Sequence, residues 1–243
     1  MIDLCQLLDW DSEFFGLTVA RVTGGTMDNA RAAEVVRWCA DRNVRFLYFL
    51  ADDDVPSWAA AAGAGFELID VRVELALDRT GPRLPPPPLS PEVRVRTAVP
   101  ADLPDLRPTA ATVHTDSRFF KDPRVQRSKA EQLFVTWLDR SVSGEIADVV
   151  FVAEVSGRAV SYITASMDRQ QRGNIGLVGV GENARGRGIG LAMVHSTLEW
   201  FASRNVSDVS VVTQGRNIMA QRVYQRCGFL TRSCRLWYHR WFT

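Results

Sequence analysis

The stretch Ile175–Val194, IGLVGVGENARGRGIGLAMV, constrains this chain more than any other. Ile175 to Val180 is short, apolar and rich in β-branched residues, which predicts a strand. A turn over Gly181–Ala184 follows, then Arg185-Gly186-Arg187-Gly188-Ile189-Gly190, then apolar residues at helical spacing. Strand, glycine-rich turn and helix in that order suit a phosphorylated ligand. Glycine lets the ligand approach the backbone, and the first N–H groups of the helix have no carbonyl partner. The helix dipole and the side chains of Arg185 and Arg187 add positive charge at the same point. The glycine order is not that of the dinucleotide fingerprint, and no Gly-Lys-Ser/Thr follows to make a nucleoside-triphosphate loop.

Downstream, Val206–Thr213 predicts a second strand and Asn217–Cys227 a helix, with Gly228 placed for a left-handed cap. Asn217 and Tyr224 lie about two helical turns apart, so both side chains leave the helix on nearly one face. Arg185-x-x-Gly188-x-Gly190, a strand, then Asn217-x-x-Ala220-x-x-x-Tyr224-x-x-x-Gly228-Phe229 resembles the GNAT superfamily of acyl-CoA-dependent N-acyltransferases. One position departs: Glu182 stands where the family often has a proline after the cofactor strand.

The resemblance implies an α/β (α+β) chain with a mixed, mostly antiparallel sheet flanked by helices, acetyl-CoA as cosubstrate, and no metal. It also implies roles. Backbone N–H groups of Leu177, Val178, Gly179 and Val180 would polarise the thioester carbonyl. That strand would splay from its neighbour to admit the pantetheine arm, which Gly176 and Gly179 suit. The diphosphate would sit on the N–H groups of Arg185, Gly186, Arg187, Gly188, Ile189 and Gly190. Asn217 would hydrogen-bond the cofactor or order the loop before its helix. Tyr224 would protonate the leaving thiolate, a phenol of pKa about 10 facing a thiol of about 8.5. The general base stays open among Glu182, Asp168, Glu154, His114 and a chain of waters, and His195 reads as structural.

The 243 residues are 46% hydrophobic and 23% charged, an ordinary globular composition with room for one large domain or two small ones. A net charge of +1 exerts no general pull toward nucleic acid or membrane, so anion binding must be local. Cys5, Cys39, Cys227 and Cys234 show neither CxxC nor zinc spacing, which fits reduced cysteines. Asp3, Asp9 and Asp11 interrupt the N-terminus as no signal peptide would allow, and no apolar run reaches membrane length. The expected location is the cytoplasm.

Three regions are expected. Residues 1–79 carry strand, helix, strand, short helix and strand signals ending at Gly65-Phe66 and Phe66–Leu77, much as the C-terminus ends at Gly228-Phe229. This reads as a smaller, degenerate GNAT-like half-domain without the glycine loop. Residues 80–91, with four consecutive prolines, form a stiff polyproline linker. Residues 92–243 form the catalytic domain, opening with Val93–Val95 as a strand and a helix broken by Pro104 and Pro108. Val149–Val155 and Ala159–Ser166 form a hairpin around Ser156-Gly157.

Trp10-Asp11-Ser12-Glu13-Phe14-Phe15-Gly16 and Ser117-Arg118-Phe119-x-x-Asp122-Pro123 are similar to segments of the TDP-fucosamine acetyltransferase branch, where a reduced N-terminal half also precedes the catalytic domain. That likeness implies a nucleotide-linked amino sugar as acceptor, with Arg118 and Phe119 contacting its diphosphate and ring. The competing acceptors are an antibiotic or peptide amine. A non-catalytic acyl-CoA sensor is the alternative from another class, against which Tyr224 argues. Expected partners are thus a small-molecule amine and, as the assembly held open, a homodimer.

Overall fold

The computed structural model describes residues 3–78, 84–85 and 88–242. Of the polyproline linker expected over 80–91, residues 80–83, 86 and 87 lie outside the described residues. In chain order the elements are β1 (Cys5–Leu7), α1 (Asp9–Phe15), β2 (Val19–Val22), α2 (Asn29–Asp41), β3 (Phe46–Ala51), α3 (Val55–Gly63) and β4 (Glu67–Leu77). There follow β5 (Val93–Thr97), α4 (Leu103–Val113), α5 (Arg118–Lys121), α6 (Arg127–Val142), β6 (Val149–Val155), β7 (Arg158–Met167) and β8 (Gly173–Val180). The last are α7 (Ile189–Ala202), β9 (Val209–Gln214), α8 (Ile218–Arg226) and β10 (Phe229–Trp241). Among the described residues no helix is long and apolar enough to cross a membrane.

Two compact units result. The first is Met1–Arg72 together with Ser117–Asp122 and Cys234–Thr243; the second is Val73–Asp116 with Pro123–Ser233. The chain passes between them inside β4, on either side of α5 and inside β10. Two segments remote in sequence therefore complete the first unit: α5, and the C-terminal half of β10, which pairs antiparallel with β3 (Leu236↔Ala51 to Trp241↔Phe46). In the same unit β1 pairs antiparallel with β2, and β2 pairs parallel with β3. Apolar side chains of α2, α3 and these strands, among them Val35, Cys39, Leu47, Phe49, Ala61 and Tyr238, form the core. Both helices start on an aspartate cap: Asp28 accepts from the Arg31 N–H at 2.7 Å and Asp54 from the Ser57 N–H at 3.1 Å.

In the second unit β5, β6, β7 and β8 pair antiparallel in sequence order, and β9 joins β8 in parallel. Leu106 and Ala110 of α4 and Leu138 of α6 pack with Val150, Val152 and Tyr162. The β6–β7 hairpin turns through Ser156 (φ 50°) and Gly157 (φ 81°), positive at both central positions as a type I′ turn requires.

The expected break at Pro104 and Pro108 does not occur, since α4 runs through both. Pro104 sits in the first turn, where its missing N–H would have had no partner. Pro108 removes one interior hydrogen bond, a cost the packing of Leu106 and Ala110 on either side offsets.

Candidate functional site

Three pieces of the second unit converge on the glycine-rich stretch: the end of β8, the loop into α7, and α8. β8 and β9 pair only over Gly173–Ile175, although β8 continues to Val180 and β9 to Gln214. On its other edge β8 is held to β7 throughout, with one irregularity. Ile163 faces Val178 and Ala165 faces Ile175, so Gly176 and Leu177 together oppose Thr164 in a β-bulge. The Thr164 hydroxyl takes the Leu177 N–H at 2.8 Å.

Beyond the bulge the ladder alternates. Gly181 donates to the Val160 carbonyl at 2.9 Å, so Tyr162↔Gly179 is a hydrogen-bonded pair and Val178 and Val180 are not. The backbone groups of Val178 and Val180 thus point toward β9, along the length where β9 no longer pairs. Of the four residues Leu177 to Val180, these two can offer an N–H to a ligand, while Leu177 and Gly179 are committed to β7.

The loop supplies the second set of donors. Gly186 and Gly188 both hold φ of 75°, the left-handed region, and Gly188 is the cap of α7. The first helical hydrogen bond is Ala192 N–H to Gly188 O at 3.1 Å. The N–H groups of Ile189, Gly190 and Leu191 therefore stand without a carbonyl at the positive end of a fourteen-residue helix. Gly186 has open space where a side chain would start. Arg187 is paired with Glu92, and Arg185 donates from Nε to the Val180 carbonyl at 3.4 Å. An opened strand edge running into a helix start rich in free N–H groups fits an extended acyl-thioester with a diphosphate at one end, as acetyl-CoA has.

α8 begins at Asn217, whose Oδ1 caps the helix by accepting the Ala220 N–H at 3.1 Å. Sequence reasoning missed Gln221. Its Nε2 donates to the carbonyls of Gln214 (3.1 Å) and Gly215 (2.9 Å), fixing the turn between β9 and α8. Tyr224 is 4% exposed, packed against Phe229 at 6.0 Å between ring centroids. Burial, and then Cys227, push its pKa above the usual phenol value, so it is a neutral donor at any working pH.

The four base candidates separate. Arg96 Nε holds Glu154 at 2.7 Å. Asp168 accepts the N–H groups of Gln170 and Arg172 and pairs with the Arg172 guanidinium, and these contacts lower its pKa. Glu182 opens an exposed turn of 3-10 helix directly after β8. His114 Nε2 lies 2.7 Å from the Tyr162 hydroxyl and its ring stacks on Phe134 at 4.3 Å. Burial brings its pKa down to about 4, which leaves a neutral and weakly basic imidazole.

Arg118 and Phe119 fall in the first unit. The Arg118 guanidinium lies over the rings of Tyr48 (4.1 Å), Phe119 (4.1 Å) and Trp237 (4.3 Å). Its Nη1 is 2.7 Å from His239 Nε2, and His239 Nδ1 is 2.6 Å from Asp122 Oδ2, which also accepts from Trp241 Nε1 at 2.9 Å. Because guanidinium only donates, Nε2 accepts and Nδ1 carries the proton toward Asp122. Burial brings the His239 pKa to about 4 in spite of that carboxylate. Phe119 is 3% exposed.

Comparison with known proteins agrees with this geometry. Residues 113–229 match the Acetyltransferase (GNAT) family model. The chain is 28% identical over 142 residues to the spore coat polysaccharide biosynthesis protein SpsD of Bacillus subtilis, spanning 58% of this chain and about half (48%) of that protein. It is 25% identical over 236 residues to the dTDP-fucosamine acetyltransferase of Escherichia coli, covering 96% of each. A GCN5-related N-acetyltransferase from Sphaerobacter thermophilus superposes with a TM-score of 0.69 at 17% identity, over 98% of this chain and 76% of that one, which shows the fold. The residues matched by the family model include the bulged strand, the loop, Asn217 and Tyr224, and so residues 113–229 match an acetyltransferase domain of the GNAT family.

Proposed function

We propose that this protein transfers the acetyl group of acetyl-CoA to the amino group of a nucleotide-linked amino sugar. The observation that carries the transfer is the β8–β9 opening, with the backbone groups of Val178 and Val180 facing it and the start of α7, which no side chain caps, at its end. Acetyl-CoA supplies an activated thioester. Val178 or Val180 would donate an N–H to its carbonyl oxygen, where charge develops as the amine attacks. Ile189, Gly190 and Leu191 would hold the diphosphate, and Asn217 and Gln221 would keep α8 in place.

Tyr224 would donate to the sulfur. With its pKa raised, complete proton transfer to a thiolate of conjugate pKa about 8.5 runs uphill. The role that fits is a hydrogen bond that strengthens as sulfur becomes negative, with the proton following from water. The acceptor class rests on the near-complete coverage of the dTDP-fucosamine acetyltransferase.

The test is release of CoA thiol from acetyl-CoA with dTDP-fucosamine, alongside an aminoglycoside and a peptide amine. Turnover confined to the sugar nucleotide is expected. Turnover confined to either of the others would move the acceptor class, and acetyl-CoA binding without turnover on all three would leave a sensor.

A further inference from the structure

A cavity of about 200 Å³ opens beside the β-bulge, walled by Trp137 and Ser141 of α6, Thr164 and Ser166 of β7, and Asn174 and Gly176 of β8. All of it lies within the second unit. Two properties define what it can hold.

The first is charge. No lysine, arginine, aspartate, glutamate or histidine lines it among the described residues. A phosphate or carboxylate placed there would lose its hydration without a compensating partner. The second is mixed polarity. The half-buried Trp137 indole, set edge-to-face on Phe134 at 5.3 Å, offers a flat apolar wall. Hydroxyls and one carboxamide stand elsewhere, with Ser166 and Asn174 directly across the ladder from each other. Ser141 already donates to the Trp137 carbonyl at 2.8 Å and so has acceptor capacity left. The volume suits one six-membered ring and is too small for a nucleotide.

The cavity adjoins the strand edge proposed to hold the thioester, since Gly176 and Leu177 of the bulge both line it. Gly176 contributes no side chain, and a Cβ there would meet Thr164 Oγ1 at 2.6 Å. Two residues on, Val178 faces the β8–β9 opening.

We propose that this cavity is the subsite for the sugar ring of the acceptor. It takes a partly apolar pyranose of 6-deoxyhexose type that bears no phosphate or carboxylate and whose reacting nitrogen is the neutral amine, with Trp137 on the ring's C–H face and Asn174 and Ser166 on its hydroxyl edge. The assignment of that ring to the acceptor rests on the proposed acetyl transfer; the binding of the ring does not.

Two experiments keep these apart. In the first, ¹⁵N-labelled full-length protein is titrated with D-fucose, with D-galactose 6-phosphate as the charged control. The Trp137 indole resonance, assigned with Trp137→Phe, is the reporter. A saturable shift at roughly millimolar affinity with D-fucose alone is expected, weakened at least fivefold by Asn174→Ala. No saturable shift up to about 100 mM, a level far above the affinity of any working subsite, or an equal shift with the phosphate, would overturn the subsite. In the second, Trp137→Ala should raise the KM for dTDP-fucosamine at least tenfold while acetyl-CoA affinity changes less than twofold. An unchanged KM with wild-type turnover puts the acceptor ring elsewhere. A positive titration with no turnover on dTDP-fucosamine sinks the proposed acceptor and leaves the sugar-ring subsite standing.

Discussion

Two sets of glycines sit along one continuous stretch, and they are glycine for opposite reasons. In β8 a Cβ at Gly173 would lie 2.7 Å from the Phe201 ring, at Gly176 2.6 Å from Thr164 Oγ1, and at Gly179 2.5 Å from the Tyr162 ring. These positions are full: the protein itself occupies the space. In the loop, Gly186 meets nothing within 4 Å and Gly190 meets only Val180 Cγ2 at an ordinary 3.7 Å, while Gly186 and Gly188 hold positive φ. These positions are open, and what excludes a side chain is backbone handedness and whatever approaches from outside. Packing accounts for the strand glycines, and the proposed cofactor binding would account for the loop glycines.

The comparison breaks first, and most severely, at a residue belonging to neither set. Tyr224→Phe should leave melting temperature and acetyl-CoA affinity nearly unchanged while lowering kcat by about 10²–10³, roughly 3–4 kcal/mol of barrier, the loss of one hydrogen bond to the developing charge. Steady-state thiol release measures it. Retention of more than about a third of wild-type kcat, with chemistry limiting, would mean that water alone serves the sulfur.

Acid should act next, and on both units together. His114 and His239 are held near pKa 4 in the fold, against about 6.5 when unfolded. Between those values the unfolded chain binds protons that the native one does not. Stability is therefore complete above about pH 6.5 and declines as the pH falls toward 4, by on the order of 3 kcal/mol for each histidine. Melting curves at pH 7.5, 5.5 and 4.5 test this; a flat melting temperature across them would refute it.

Gly179→Ala probes the full set. Tyr162 is wholly buried and bound to His114, so its ring cannot swing clear. The variant should lose about 1–3 kcal/mol, roughly 3–10 °C in melting temperature. In a Tyr162→Leu background the same change should cost clearly less, and equal costs in both backgrounds would detach Gly179 from the ring.

Gly188→Val probes the open set. Acetyl-CoA affinity should drop at least tenfold, about 1.4 kcal/mol, by calorimetry on a folded variant. Gly190→Ala should have the smallest effect and the opposite sign on stability: a gain of roughly 0.5 kcal/mol from helix propensity, with affinity falling slightly. If it destabilised the fold instead, Gly190 would belong with the strand glycines.

Much of the site could be read in the chain because its signals are local. Gly188 and Gly190 are spaced for a helix start, Asn217 and Tyr224 for one helix face, and Gly228 for a left-handed cap, which it adopts at φ 88°. The aspartate caps, the Ser156-Gly157 turn and the strand lengths are equally short-range. What could not be read joins positions far apart: Thr164 with Leu177 N–H, His114 with Tyr162, Tyr162 with Gly179, Arg187 with Glu92. No periodicity encodes such pairs. The boundaries of the two compact units inside β4 and inside β10, and the recruitment of 117–122 and 234–243 into the first unit, were not legible, since no local signal marks them. α4 shows the converse, since proline weakens a helix locally and burial of Leu106 and Ala110 overrides it.

By itself, then, the amino-acid order determined which segments are strand, loop and helix around the proposed acyl-CoA site, because hydrogen-bond geometry and side-chain periodicity act within a few residues. Only the tertiary structure decided which amides of β8 remain available and which glycines are packed or open. It also decided that Arg118 is surrounded by aromatic rings and that an uncharged cavity lies beside the bulge. Those outcomes depend on ladder register and on volumes filled by residues tens or hundreds of positions away.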